Sequence, residues 1–310
     1  MRAVAFSAFD SAPSIQELDV PEPAQGEVRV RVHAASVNGF DLAVANGYLK
    51  DVMEHRFPVV LGKDFAGTVD ALGTGVTGYM PGDRVFGVVT KPYLGDGSFA
   101  EFVTVPASVG IAQLPDSVDF AEGAALGLAG TAALAAVEAA DLESGQTIVV
   151  AGATGGVGTH TVQLAAATGA HVIATAHSDE EKTLVTGCGA SGVVDYAGDI
   201  AAEVLAAHPG GVDAVIHLAG DPAALLPVVR EGGRFVSTLL GSPQQLPTES
   251  VTVLPIAANP TPGTLARIAQ NQEQARTRVT VQRTYGLDQV SEAFTDFAGG
   301  TLGKLLIRID

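Results

Sequence analysis

Thr147-Ile148-Val149-Val150-Ala151-Gly152-Ala153-Thr154-Gly155-Gly156-Val157-Gly158 decides the architecture of this chain. The run Thr147–Ala151 has the length and β-branched content of a buried strand. A glycine-rich turn follows it and opens a helical stretch, Thr159–Thr168, after which His171–Ala176 supplies a second apolar run. Strand, helix and strand within about 30 residues make a βαβ unit, and such units build parallel sheets. The glycines then have separate duties. One permits a tight turn, another lets backbone approach a pyrophosphate, and Gly158 permits close helix–strand packing. Free N–H groups at the helix start, aided by the helix dipole, face the anion. Dinucleotide binding at Thr154, Gly155, Gly156 and Val157 is the expectation.

Strand-like runs recur downstream at Gly192–Asp195, Ala214–Leu218 and Arg234–Leu239, with helical stretches between them. Residues 121–252 therefore read as a doubly wound, Rossmann-type domain. Upstream, Val28, Val30 and Val32 alternate with Arg29, Arg31 and His33, the period of a half-buried strand. Further short runs at Gly67–Leu72, Arg84–Val89 and Phe99–Val105 are punctuated by Gly and Pro, which suggests an antiparallel, barrel-like domain. Helix-like stretches near Leu265–Asn271 and Leu287–Phe297 precede a final strand, Lys304–Ile309, expected to return to the first domain's sheet. That makes 1–120 with 253–310 one discontinuous domain and the whole an α/β protein.

The 310 residues suit about two domains. Lys plus Arg number 17 against 34 Asp plus Glu, a net charge of −17. Such a chain repels phosphate backbones and anionic membrane surfaces, so neither nucleic acid nor membrane is an expected partner. A single cysteine, Cys188, excludes an internal disulfide framework and a thiolate zinc cluster, and it reads as a small buried hydrophobe. The N-terminus does not read as a signal peptide. The longest uncharged apolar stretch, between Glu122 and Glu138, falls short of a spanning helix. A cytoplasmic location is the expectation.

Cofactor choice rests on the end of the second strand, where an acid would bond the ribose 2′-hydroxyl of NAD. That strand ends at Ala176, followed by His177 and Ser178, and no carboxylate occupies the tip itself. Ser178 can donate a hydrogen bond and Lys182 can supply charge, so NADP(H) is expected. Asp179, Glu180 and Glu181 read as a solvated helix start.

An ordered series of segments resembles the medium-chain dehydrogenase/reductase superfamily, specifically its zinc-independent quinone oxidoreductase branch. It comprises Ser36-Val37-Asn38-Gly39-Phe40-Asp41 with Gly47-Tyr48, Leu61-Gly62-Lys63-Asp64, Pro81-Gly82-Asp83-Arg84-Val85, Gly97–Phe102, Gly130-Thr131-Ala132, the glycine turn, and Gly303-Lys304. The resemblance implies a GroES-like catalytic domain beside the Rossmann domain, with a nicotinamide at the base of a cleft. It implies Asn38, Asp41 and Tyr48 on the substrate side, Thr131 near the nicotinamide, and Tyr196 at the adenosine phosphate. Leu218, Ala219, Thr238 and Leu239 would cradle the nicotinamide half, and Lys304 joins the cofactor set. Zinc-dependent relatives hold their metal with a cysteine and a histidine. Asn38 and Lys63 stand at those positions here, and an ammonium has no lone pair for a metal, so no metal site is expected.

Plainer readings stand beside these. Asn38 would simply bond loop backbone, Asp41 would cap a helix beginning at Leu42, and Lys63 would pair with Asp64 or a surface acid. The expected reaction is metal-free hydride transfer from NADPH to a quinone or an α,β-unsaturated carbonyl, with Tyr48, Asn38 and the nicotinamide ribose as donors to the substrate oxygen. An enoyl-thioester or alkenal reductase is the alternative on the same scaffold, and a non-catalytic NADPH-binding protein is the alternative of another class. The apolar runs Leu239–Leu240 and Val251–Ile256 suggest a homodimer edge.

Overall fold

A computed structural model describes residues 1–309; the last residue of the expected catalytic domain, Asp310, lies outside the described residues. The chain divides into two compact units. One comprises Met1–Leu128, Pro260–Gln274 and the chain from Val281 onward; the other comprises Ala129–Asn259 and Ala275–Thr280. The division falls inside one continuous helix, Phe120–Ala140, where the sequence places it at residue 120.

In the first unit, strands run in the order Ile111–Gln113, Arg84–Val88, Asp64–Leu72, Glu27–Ser36, Lys304–Arg308, Val281–Gly286, and Phe102–Pro106 also pairs with Glu27–Ser36. The alternation at 28–32 is the alternation of this sheet. Val28, Val30 and Val32 are buried in a core with Phe65, Val69, Val85 and Val103. Most pairs are antiparallel. The last strand, Lys304–Arg308, lies antiparallel to Glu27–Ser36 and parallel to Val281–Gly286.

The second unit holds a six-stranded, wholly parallel sheet in the order Gly192–Val194, His171–Thr175, Thr147–Ala151, Val212–His217, Val229–Ser237, Thr252–Pro255. Successive side chains of Thr147–Ala151 feed different clusters. Ile148 and Val150 join Val162, Val172 and Ile216, while Val149 and Ala151 join Ile173, Val204 and Val215. Both faces of the sheet are therefore buried, as in a doubly wound fold. This is the α/β class expected from the sequence.

Two local expectations change. The helix after the glycine turn begins at Gly156, so the last glycines of the motif lie in its first turn. Helix Phe120–Ala140 runs past both Glu122 and Glu138 to 21 residues, which is long and apolar enough to cross a membrane by length and composition; 72% of its most apolar window is buried within the protein.

Gly67 sits where strands Asp64–Leu72 and Glu27–Ser36 change register, and a Cβ there would lie 2.0 Å from the carbonyl oxygen of Arg31. Backbone on a central strand cannot yield as a flexible side chain does. Gly67→Ala is expected to destabilise the protein by about 2–3 kcal/mol, read as a lowered denaturant midpoint at unchanged slope.

Candidate functional site

The first unit buries a polar cluster beneath helix Gly39–Ala45. Asn38 is the N-cap of that helix, and the Asp41 carboxylate reaches back to accept the Asn38 backbone N–H at 2.8 Å. The helix thus begins at Gly39 rather than Leu42, with Asp41 three residues past the cap, in the reciprocal position of a capping box. The Asn38 side chain points inward. Its Nδ2 donates to Ser36 O at 3.2 Å and to Asp64 Oδ2 at 2.9 Å, and its Oδ1 accepts from Lys304 Nζ at 2.8 Å.

Asp64 is the centre of the cluster and has no exposed surface. Besides Asn38, it accepts Ser36 Oγ at 2.6 Å, the backbone N–H of Leu128 at 2.7 Å and Lys304 Nζ at 3.4 Å. Gly127 makes room for this approach, since a Cβ there would meet Asp64 Oδ1 at 2.6 Å. Lys304 also donates to Val37 O at 3.1 Å, so its three hydrogens all have protein acceptors. Sequence reasoning placed Lys304 with the cofactor; the structure places it inside the cluster. Asp64 was not singled out as a site residue. The signal for it is a pair of opposite charges, Asp64 and Lys304, each opening a strand and followed by three uncharged, non-polar residues.

Lys63 neighbours this cluster without joining it. Its Nζ donates to Val89 O at 2.7 Å and lies 4.6 Å from the centre of the Phe40 ring. It makes no ion pair with Asp64 or a surface acid within bonding distance among the described residues. Burial lowers its pKa, opposed by the charges of Asp41 and Asp64. Asp41 moves the other way. Burial first, then the charge of Asp64, raise its pKa to about 7, against the pull of the Asn38 N–H, Lys304 and Lys63. Tyr48 stands apart in the turn after the helix, 76% exposed, and its hydroxyl has no partner among the described residues.

The second unit carries the glycine turn. Gly152 has φ +84°, the left-handed region, and a Cβ there would sit 2.9 Å from Ala219 Cβ. At Gly158 a Cβ would lie 2.1 Å from Gly152 O, so the helix meets the turn backbone directly. The N-cap is Gly155, with no side-chain cap and no acid in the first turn. The first-turn N–H groups of Gly156, Val157 and Gly158 have no partner among the described residues. These features fit a bound pyrophosphate. Thr131 is fully buried on helix Phe120–Ala140.

Two strand-end loops face this turn's side of the sheet order. Leu218 N–H donates to Ala151 O at 3.0 Å, Thr238 N–H to His217 O at 3.2 Å, and Leu239 N–H to Ser237 Oγ at 3.1 Å; the Leu239 side chain is exposed. His217, a histidine without ligand-like spacing in the sequence, is buried and joins the two loops. Its Nε2 bonds Gly220 O at 3.0 Å and its Nδ1 bonds Ser237 Oγ at 2.9 Å. A carbonyl only accepts, so the hydrogen is assigned to Nε2.

The tip of strand His171–Thr175 differs from expectation. Two carboxylates reach it. Glu181 accepts the backbone N–H groups of His177 and Ser178 and the Tyr196 hydroxyl at 2.9 Å, and Asp195 takes His177 Nδ1 at 2.9 Å. Burial opposes ionisation of Glu181, but these three donors hold its carboxyl below the usual range. The Ala197 N–H and then His177 do the same for Asp195. Ser178 Oγ is an N-cap, accepting Glu181 N–H at 3.1 Å. Glu181 is thus a capping-box acid that sequence reasoning took for a solvated helix start. Lys182, one residue on, is half-buried.

The family description "Alcohol dehydrogenase GroES-like domain" matches residues 24–116, and "Zinc-binding dehydrogenase" matches 156–259. The quinone oxidoreductase of Rattus norvegicus is 35% identical over 225 residues, 70% of this chain and 66% of that protein. A mycocerosic acid synthase-like polyketide synthase of Mycolicibacterium smegmatis is 37% identical over 219 residues, 69% of this chain but only 10% of that much longer protein. The solved structure of the Coxiella burnetii quinone oxidoreductase superposes with a TM-score of 0.88 at 26% identity, covering 100% of this chain and 99% of that one. The chain belongs to the medium-chain dehydrogenase/reductase superfamily, in its quinone oxidoreductase-like part. It is an oxidoreductase, and proteins of this family bind nicotinamide cofactors.

One of the matched descriptions implies zinc, and the residues present do not fit it. Among the described residues no group of three or more His, Cys, Asp and Glu side chains is placed to hold a metal ion. Lys63 offers no lone pair while protonated, and the Asn38 oxygen is committed to Lys304.

The Asp41 shift gives a test. A raised acid binds protons more tightly folded than unfolded, so its contribution to stability is complete below about pH 4 and is lost as pH rises through about 7. Asp41→Asn removes that loss while keeping an oxygen for the Asn38 N–H. The melting temperature of the variant minus that of wild type should become more positive from pH 5 to pH 8.5, by about 2–4 °C or more. A flat difference would place the charge elsewhere.

Proposed function

We propose that the protein is a metal-free, NADPH-dependent reductase of quinones or α,β-unsaturated carbonyls. The observation that carries this reading is the uncapped, acid-free start of helix Gly156–Ala167 behind Gly152 and Gly158, on a parallel sheet. When bound there, the nicotinamide cofactor supplies a hydride. The chain's own residues bind and orient it. Thr154, Gly155, Gly156 and Val157 take the pyrophosphate. Leu218, Ala219, Thr238, Leu239 and Thr131 border the nicotinamide half.

Ser178, Lys182 and Tyr196 surround the 2′-phosphate. The two tip carboxylates oppose that assignment by charge, but each already accepts donors from the protein, Glu181 three of them and Asp195 the His177 ring and the Ala197 N–H. Lys182 is then the decisive cation.

On the substrate side, the Asn38 amide is a positioning group, because both of its hydrogens are spent on Ser36 and Asp64. Asp41 holds the loop that carries it. Tyr48 keeps a free hydroxyl for the substrate oxygen, and Tyr48→Phe should give only a modest loss with a quinone, already a strong oxidant. Enoyl-thioester reduction is the second reading, favoured by the 37% identity to a polyketide synthase segment.

The test is a titration with NADPH and NADH, followed by turnover of 9,10-phenanthrenequinone and of crotonyl-coenzyme A. Tighter NADPH binding and quinone turnover are expected. Lys182→Ala should weaken NADPH by about tenfold, the worth of one charge-assisted hydrogen bond, and leave NADH within twofold. A preference for NADH would mean that the tip acids read the ribose hydroxyls, and crotonyl-coenzyme A as the better acceptor would favour the second reading.

The strand Thr252–Pro255 is one of the two outer strands of the sheet in the second unit, with exposed Leu239 nearby in sequence after the adjoining strand. A homodimer through this edge is part of the same proposal. Sedimentation should give a dimer mass, and Val253→Pro should shift it toward monomer.

A further inference from the structure

Four polar groups line up behind the substrate-side loop, and three of them are spent. Asn38 has no free amide hydrogen, Lys304 donates to three protein oxygens, and Asp64 accepts four donors. Lys63 is the exception. Of its three hydrogens, one is committed to a protein oxygen, Val89 O. Lys63 lines a narrow recess of about 20 Å³, room for about one water molecule and partly open to solvent, that Asp41, Phe40, Leu61, Tyr93 and Asp96 also line. The recess lies wholly within the first unit. A space of that size takes a single oxygen atom, with the rest of a ligand lying outside it.

The surroundings keep this cation in place and active. The Phe40 ring stabilises it from one side. Asp41 and Asp64 act on it through charge without a direct ion pair, so its donors are not consumed by a carboxylate. Burial makes it a stronger acid than a lysine in water, which eases release of a proton to an oxygen of rising basicity.

We propose that Lys63 is a catalytic residue whose ammonium donates a hydrogen bond, and then a proton, to the substrate oxygen as negative charge collects on it. The proposal rests on the reductase reading above. As hydride bonds to the β-carbon of an enone with its electron pair, the C=C electrons move into the bond toward the carbonyl and the carbonyl π-electrons shift to oxygen; the enol that follows tautomerises in water. One N–H bond of Lys63 then breaks as an O–H bond forms, and the neutral amine recovers its proton from water entering the recess. The cation thereby supplies the electrophilic assistance that a metal would otherwise give.

Lys63→Gln and Lys63→Arg test this, with two acceptors and one binding probe. Loss of the cation should cost an enone far more than a quinone, which needs little electrophilic help. With 2-cyclohexen-1-one, Lys63→Gln is expected to lower kcat by about 100-fold; with 9,10-phenanthrenequinone by less than about tenfold; and Lys63→Arg should retain much of the enone rate. The probe is 4-nitrophenolate, an oxyanion titrated by its absorbance against the protein. Its affinity should fall about tenfold in Lys63→Gln and stay within about threefold in Lys63→Arg. NADPH affinity should remain within twofold in both.

Enone turnover within about threefold of wild type in Lys63→Gln would overturn the proposal. So would equal losses in both variants with unchanged phenolate affinity, the pattern of a strut to Val89. Should Lys63→Gln fail to fold by circular dichroism, Lys63→Met carries the same measurements. If wild type reduces neither acceptor, the reductase reading fails, and the phenolate titration alone decides the role of Lys63.

Discussion

A carboxylate with no exposed surface must be met by donors from every side, and the first unit is arranged around that demand at Asp64. Four donors converge on it from four separate stretches of chain: Ser36 at the end of a long strand, Asn38 at a helix cap, Leu128 in a helix interior, and Lys304 at the start of the last strand. Desolvating an ion pair costs several kcal/mol per charge, and only good geometry and further hydrogen bonds repay it. The Asp64–Lys304 pair is therefore poor evidence for extra stability. Its consequence is specificity of place. The chain between Ser36 and Asp41 has one way to satisfy Asp64, and that way turns the Asn38 amide inward. Gly127 is a condition of the same arrangement, because a Cβ there would come within 2.6 Å of the Asp64 oxygen.

The second unit solves a different problem with backbone alone. No side chain caps the helix after the glycine turn and no acid occupies its first turn, whereas the next helix carries Ser178, Asp179, Glu180 and Glu181 at the same location. A capped and acidic helix start stabilises itself; an uncapped, neutral one leaves its N–H groups to a ligand. The contrast between two successive helices of one sheet is stronger than the glycine pattern by itself, since glycines also occur wherever backbone packs closely.

This contrast explains what was legible in the sequence. The turn, the parallel strands and the alternation of Val28, Val30 and Val32 are local patterns, and each is set by neighbours within a few residues. Asn38 and Asp41 are legible as a loop residue and a helix cap, but not as a pair: the sequence starts the helix at Leu42, and the structure starts it at Gly39 with Asn38 as the cap and Asp41 reaching back to it. Asp64, Lys304 and His217 were not legible as partners. Lys304 and Asn38 meet across 266 positions of chain, and periodicity carries no information at that range. Glu181 failed for a subtler reason. An acid in the first turn of a helix has two outcomes, pointing to water or folding back on the cap, and the sequence Ser178-Asp179-Glu180-Glu181 supplies three acids for the one returning position. Geometry selects Glu181, three residues past the cap, and so brings a charge to the strand tip that the strand's own sequence lacks.

The two lysines near Asp41 and Asp64 separate structure from chemistry by a simple count of donors. Lys304 has three hydrogens and three protein acceptors, and any ligand would have to break a bond already made. Lys63 lies close enough to the same carboxylates to feel their charge, yet it bonds a carbonyl and a ring face instead. A half-buried ammonium without a direct carboxylate partner costs stability that packing must offset. The same incompleteness gives it a use. A cation fully satisfied by protein can only hold a fold together, while one left short of acceptors gains most when an oxygen beside it becomes negative, and that gain falls on the transition state rather than on the resting enzyme.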